Sequence, residues 1–249
     1  MDEVAALPTD RRKTSAREID SEREKIHREI LSIVSHDLKT PLATMIGSLE
    51  IFTRMGARLA EDKKQSLILS ALNEAYRLDG FITNILDMAK LESGMVKIKN
   101  EPCDLKNIVR DSIFRLGPKA EHANFDVADL FSLPPAYTDP MLLGRAVGIV
   151  LDNAVRYSGA TPKVTVKYGN SNHENFIQIC DNGPGIPQQR MEEIFSKYSR
   201  FSIGDQRPAG TGLGLTICRK IMELLSGSIK ASNASEGGAQ FTLSFPAEN

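Results

Sequence analysis

Between Ser21 and Gly94 the apolar residues recur at helical spacing, interrupted only by Pro41, Gly47, Gly56 and Gly80. On the first stretch Ile30, Ile33, Val34, Leu38, Leu42, Met45, Leu49 and Phe52 fall on one stripe when each residue advances about 100°. On the second, Ile68, Ala71, Ala75, Leu78, Ile82, Ile85 and Ala89 are separated alternately by three and four, the seam of a left-handed bundle. Two long helices joined across Gly56 to Lys63 make an antiparallel hairpin. A hairpin alone has too few seams for a stable core, and a second copy of itself is the simplest source of more helices. The pattern therefore predicts a homodimeric four-helix bundle.

After Gly94 the period changes. Short β-like runs at Met95 to Lys99, Lys163 to Tyr168, Phe176 to Cys180, Ser228 to Ala231 and Gln240 to Phe245 alternate with helical ones at Leu105 to Leu116, Pro140 to Tyr157 and Gly212 to Leu225. This predicts a separate α+β domain, with the boundary near Glu92 to Val96. Residues 1–20 read as a polar linker or the start of a signalling helix, 21–95 as the helical domain and 96–249 as the α+β domain. The stretch FSIGDQRPAGTG, Phe201 to Gly212, is rich in Gly, Pro and charge without periodicity and reads as a mobile loop.

Composition narrows the function classes. With 31 basic and 32 acidic side chains the net charge is −1, which gives no electrostatic reason to expect a nucleic acid or an anionic membrane as partner. Cys103, Cys180 and Cys218 are widely spaced and follow no ligand or disulfide pattern, so a reducing cytoplasm is the expected compartment. No run approaches the roughly 18 apolar residues of a membrane span, and MDEVAALPTDRRKTSAREID is too polar for a signal peptide. The expectation is a soluble protein or the cytoplasmic part of a larger one, without direct membrane contact.

Candidate chemistry begins in SIVSHDLKTPLATM, where His36 points nearly opposite the apolar stripe and so faces water. A surface histidine is often of no consequence. Here Asp37 can accept a hydrogen bond from one ring nitrogen and make the other a better nucleophile, and the Thr40 hydroxyl lies one turn on. Pro41 should kink the helix just beyond. In DNGPGIP, Asp181 to Pro187, two glycines let the backbone approach a ligand that the carboxylate can bind; in GTGLGL, Gly210 to Leu215, successive N–H groups at a helix start suit phosphate. On spacing alone each is equally a tight turn. LDNAVRYS offers Asn153 as a Mg²⁺ ligand, Arg156 as a phosphate partner and Tyr157 as a wall for a purine, or else the polar last turn of an amphipathic helix. IFSKYSRF adds Lys197 and Arg200, phosphate partners or merely solvated charge.

Taken together, SHDLKTPL, LDNAVRYS, DNGPGIP, IFSKYSRF and GTGLGL resemble the H, N, G1, F and G2 boxes of sensor histidine kinases, in the family's order and spanning Ser35 to Leu215. The closing EGGAQFTLSFP and the SGA after the N box resemble the potassium-transport branch. The resemblance implies a helical hairpin for dimerisation and phosphotransfer, followed by an ATP-binding α/β sandwich of the gyrase and Hsp90 type. It implies that His36 is the phosphoacceptor, Asp37 its polarising partner and Thr40 the residue that positions water for dephosphorylation of a response regulator receiver domain. Asp181 would read the adenine amino group above Gly183 and Gly185. Asn153 would hold Mg²⁺, and Arg156 and Tyr157 stand where the family usually has Lys and Tyr. Gly210, Thr211, Gly212, Leu213, Gly214 and Leu215 would cradle the phosphates, with Lys197 and Arg200 at the γ-phosphate.

One position departs from the family. Four residues before Asn153, where a second Asn usually serves Mg²⁺, this chain has Ile149, which cannot ligate a hard cation. Nor can it activate water as the Glu of the related ATPases does, so transfer to His36 is favoured over hydrolysis. The alternative is a degenerate kinase serving as a dimeric, nucleotide-sensing scaffold.

Overall fold

The computed structural model describes residues 35, 37–129, 135–171, 173–197, 199 and 212–247. They form two units that divide within the second long helix, between Ile82 and Thr83. The expected N-terminal linker and the start of the first helix lie outside the described residues.

In the first unit, helix α1 occupies residues 37–55 and continues through the buried Pro41. A short 3-10 turn, Gly56–Arg58, leads to α2, Glu61–Glu92. Glu61 and Asp62 in its first turn and Lys90 in its last suit the helix dipole. Within the single chain the expected seams are only partly buried. On α1 Pro41 and Ser48 are buried, while Leu42 and Leu49 are about half exposed. On the part of α2 in this unit the most buried positions are Ala71 and Phe81, and Ile68 and Ile82 are exposed; beyond Thr83, Met88 is buried in the core of the second unit, with Ile85 and Leu91 packed against it. At the first of these positions bulk decides: Phe81 removes more apolar area from water than Ile82 beside it. Each helix therefore has two apolar faces, one buried within the chain and one, carrying Leu42, Ile46, Leu49, Ile68 and Leu72, left to solvent.

The second unit is built on a five-stranded sheet in the order β2 (Asn124–Asp129), β4 (Lys163–Ser171), β5 (Glu174–Asp181), β7 (Ala239–Pro246), β6 (Ser228–Asn233). Only β2–β4 is parallel. A two-stranded ribbon pairs β1 (Glu101–Cys103) with β3 (Ala136–Thr138). Helices α3 (Leu105–Phe114), α5 (Pro140–Tyr157) and α6 (Gly214–Leu224) supply the second layer, and α4 (Pro118–Glu121) is a single turn. Asp139 starts α5 by accepting from the N–H groups of Met141 and Leu142, ahead of Pro140, whose ring suits the first helical position. Strands β5 and β7 alternate strictly, so Ile177 and Ile179 of one and Phe241, Leu243 and Phe245 of the other point into the core with Leu143, Val147 and Leu151 of α5.

The α+β expectation thus holds, with local corrections. Met95 to Lys99 is not a strand, because the Lys99 N–H donates to the Asp139 carboxylate at 2.9 Å instead of to a neighbouring strand, and pairing begins at Glu101. Two further strands, β2 and β3, are not evident in the sequence. The first is an edge strand whose alternation runs only from Asn124 to Val127 and the second has three residues, so neither carries much period.

Candidate nucleotide site

Alternation along β5 carries Asp181 to the inward face at the strand's end, in line with Ile177 and Ile179. Its Oδ1 accepts two backbone N–H groups, from Gly183 at 2.8 Å and from Ala239 at 2.9 Å, while Oδ2 receives none among the described residues. Burial raises the Asp181 carboxyl above the usual carboxylate range, and the two N–H donors offset part of that rise. The result is a buried, fixed acceptor at the mouth of the sheet.

The loop after it is closely fitted. A Cβ on Gly183 would lie 2.7 Å from the Tyr157 carbonyl oxygen, so this glycine lets the loop meet the end of α5. Gly238 has φ +88°, and a Cβ there would sit 1.8 Å from the Asp181 carbonyl oxygen. Asn182 closes the loop's outer side by donating to the Thr161 carbonyl and accepting from the Lys163 N–H.

On α5, Ile149, Asn153 and Tyr157 recur every four residues and share one face. At one end of that face Tyr157 abuts Gly183; at the other, Ile149 Cγ2 lies 3.2 Å from the position of a Cβ on Gly214, the first residue of α6. Asn153 is half-buried between them. Gly212 takes a positive φ, Leu213 is buried and Leu215 is half-buried at the start of α6. Strand end, helix face and glycine turn thus bring Asp181, Gly183, Gly185, Asn153, Tyr157, Gly212, Leu213 and Gly214 to one side of the unit.

The charged residues are engaged with carboxylates. Arg156 donates to Asp152 at 2.5 Å, and Lys119 donates to the other oxygen of Asp152 at the same distance. Burial raises the Asp152 carboxyl, but Arg156 and Lys119 outweigh it and hold the group below the usual range. Lys197 pairs with Glu92 at the end of α2. The Phe195 ring is fixed edge-on against Phe241 and carries the Arg219 guanidinium 4.2 Å above it. Asp37 is half-buried and Thr40 exposed on α1, with the Thr40 carbonyl accepting from the Thr44 hydroxyl. His36, Arg200, Gly210 and Thr211, with the rest of the predicted loop at 201–211, lie outside the described residues.

Among the described residues no group of three or more His, Cys, Asp and Glu side chains is placed to hold a metal ion. The α5 face offers one hard donor, the Asn153 amide oxygen, beside the buried Ile149. A lone protein oxygen suits Mg²⁺ when phosphates and waters complete its octahedron, so the residues fit a metal that arrives with a nucleotide. Asp152, Asn182, Gly238 and Asn233 were not singled out from the sequence. Of these only Gly238 carries a signal in the sequence, as part of the GG pair of EGGAQ.

Two families of known proteins match the chain. The family described as "His Kinase A (phospho-acceptor) domain" matches residues 26–94, and "Histidine kinase-, DNA gyrase B-, and HSP90-like ATPase" matches residues 138–249. The sensor protein KdpD of Escherichia coli (strain K12) is 33% identical over 91% of the chain, which corresponds to 25% of that protein. It is a sensor of the branch that the closing segment resembles. Among solved structures, histidine kinase ThkA in complex with the response regulator protein TrrA has a TM-score of 0.68 at 22% identity, covering 99% of this chain and 68% of that one. Full-length ShkA in complex with AMPPNP has a TM-score of 0.61 at 20% identity, covering 89% and 46%. The chain spans about a quarter of the length of the curated KdpD relatives. Among the described residues no helix is long and apolar enough to cross a membrane.

Proposed function

Because the chain belongs to the histidine kinases that join a phospho-acceptor domain to a gyrase- and HSP90-like ATPase domain, we propose that it is an ATP-dependent protein kinase that phosphorylates its own His36. Residues 21–95 are assigned to dimerisation and phosphotransfer and 96–249 to nucleotide binding. The observation that carries the reading is Asp181, an inward carboxylate with one oxygen satisfied by backbone and the other open to a donor such as the adenine 6-amino group. Gly183 and Gly185 form the floor beside it, Tyr157 the wall, and Gly210 to Leu215 the phosphate cradle. Mg²⁺, when bound with ATP, supplies charge neutralisation at the phosphates. Asn153 would offer it one oxygen, and Arg156 and Lys197 would add positive charge once Asp152 and Glu92 release them, with Arg200 as a third cation.

A ring nitrogen of His36 attacks the γ-phosphorus. The P–N bond forms as the bond to the β-phosphate oxygen breaks, ADP leaves with the electron pair, and Asp37 stabilises the proton on the other ring nitrogen. The phosphoryl group then passes to an aspartate of a response regulator, a partner class supported by the ThkA–TrrA complex. Thr40 positions water when the kinase removes that phosphoryl group. The exposed second apolar face of α1 and α2 supports a homodimer, and the site of action is assigned to the cytoplasm.

The test is incubation with γ-labelled ATP and Mg²⁺. Acid-labile, alkali-stable label that is lost in His36→Gln is the expected result, and no label on a folded dimer rejects the kinase. Ile149 favours a second reading, a nucleotide-sensing scaffold, because its buried apolar side chain leaves the metal a single protein oxygen. In that case Mg-ATP would still raise the melting temperature. Thr40→Ala should abolish regulator dephosphorylation while sparing His36 labelling; equal loss of both rejects the role of Thr40.

A further inference from the structure

Asn233, the last residue of β6, lies outside the five sequence motifs. Its side-chain amide makes a two-way contact with the backbone of one residue in the loop after β5, Ile186. Oδ1 accepts from the Ile186 N–H at 2.7 Å, and Nδ2 donates to the Ile186 carbonyl at 2.8 Å. The side chain thus mimics one rung of a β-ladder at a point where the loop has no strand beside it. Gly185 is fitted to this contact: it has φ +77°, and a Cβ there would come within 2.9 Å of Asn233 Oδ1.

The contact also closes a ring around Asp181. The β-partner of Asn233 on β7 is Ala239, and the Ala239 N–H is one of the two donors to Asp181 Oδ1. The ends of β6 and β7 therefore hold the loop at two points, Ala239 at its first residue and Asn233 at its sixth. Between them, the Gly183 N–H returns to the same Asp181 oxygen. A loop pinned at both ends presents Asp181 Oδ2 in one orientation, whereas a loop pinned only at Asp181 would let the Gly183 donor drift.

We propose that Asn233 is a positioning residue for base selectivity, holding the Asp181 to Ile186 loop so that the carboxylate accepts from a 6-aminopurine and rejects a 6-oxopurine. This deepens the ATP reading and rests on it. Asn233 does not touch the base, so its effect appears in the difference between two nucleotides and not in the phosphate chemistry.

The test is equilibrium titration of the full chain with ATP and with GTP, for the wild type, Asn233→Ala and Asn233→Asp, together with the melting temperature of each without nucleotide. Loss of the two hydrogen bonds should weaken ATP binding about fivefold in Asn233→Ala and leave the weak GTP binding unchanged, so the ATP/GTP preference falls. Asn233→Asp keeps the acceptor for the Ile186 N–H but sets a second acceptor against the Ile186 carbonyl, so it too should lower the ATP/GTP preference; it also serves if the alanine variant does not fold. Equal weakening of both nucleotides, or an unchanged preference, overturns the role of Asn233 and leaves the ATP site standing. A wild-type chain with no preference for ATP overturns the ATP reading itself, and this proposal with it.

Discussion

Asp181 and Asp152 are both acidic residues of the nucleotide-binding unit, and their surroundings push them in opposite directions. Asp181 is raised by burial, so its ionised form opposes folding: the stability it contributes is full below its unfolded pKa and is lost as pH rises through the folded value. Asp181→Asn keeps an oxygen for the Gly183 and Ala239 N–H groups and removes that penalty. We expect a melting temperature equal to or above that of the wild type, with ATP binding lost, because the amide turns a donor toward a donor. As the wild type is acidified, ATP affinity should begin to fall at a higher pH than for an ordinary aspartate, which titration across the acid range would read directly. Asp152 has the contrary sign. Its folded value is depressed by Arg156 and Lys119, so its stabilisation is present above the unfolded pKa and lost as pH falls through the folded one. Urea melts should show Asp152→Asn less stable by about 1 kcal/mol near neutral pH, with the gap closing in strong acid. The type of these residues is plain in the sequence, but not their opposite environments, since those depend on Lys119, 33 residues from Asp152, and on Ala239, 58 residues from Asp181.

Among the elements, helices were the more legible. The predicted limits of α5 coincide with the observed Pro140–Tyr157 because its start and stop are local: Asp139 before Pro140, and Ser158 after Tyr157 with its hydroxyl on the Ala154 carbonyl. Strands were legible where both faces carry a pattern, as in β5 and β7, and not where pairing alone defines them, as in β1, β2 and β3. The same contrast separates two glycines of positive φ. Gly159, at +78°, has nothing within 4 Å of a Cβ, so Gly159→Ala should cost only the local backbone strain, about 1–2 kcal/mol. Gly238→Ala drives a methyl into the Asp181 carbonyl and separates the start of β7 from the end of β5. Denaturant melts should show a loss of more than about 3 kcal/mol, with ATP binding lost along with it.

For the molecule as a whole, the exposed face of the hairpin is the main open account of apolar area. Leu72 is 44% exposed and Ile68 47% exposed in the single chain. Leu72→Glu should turn a dimer into a monomer by light scattering while α2 keeps its helical signal, and an unchanged mass would remove this face from the interface. The sequence by itself determined the two-part architecture, the period of each part and the ordered set of motifs, because helix caps, heptads, strand alternation and glycine loops are written over a few neighbouring residues. Only the tertiary structure decided which helical positions are buried within the chain, where Phe81 prevails over Ile82 and Met88 joins the core of the second unit. It alone placed Asn233, Gly238 and Ala239 around Asp181. Those contacts join segments about fifty residues apart through single hydrogen bonds and close approaches, and such contacts have no period for a sequence to display.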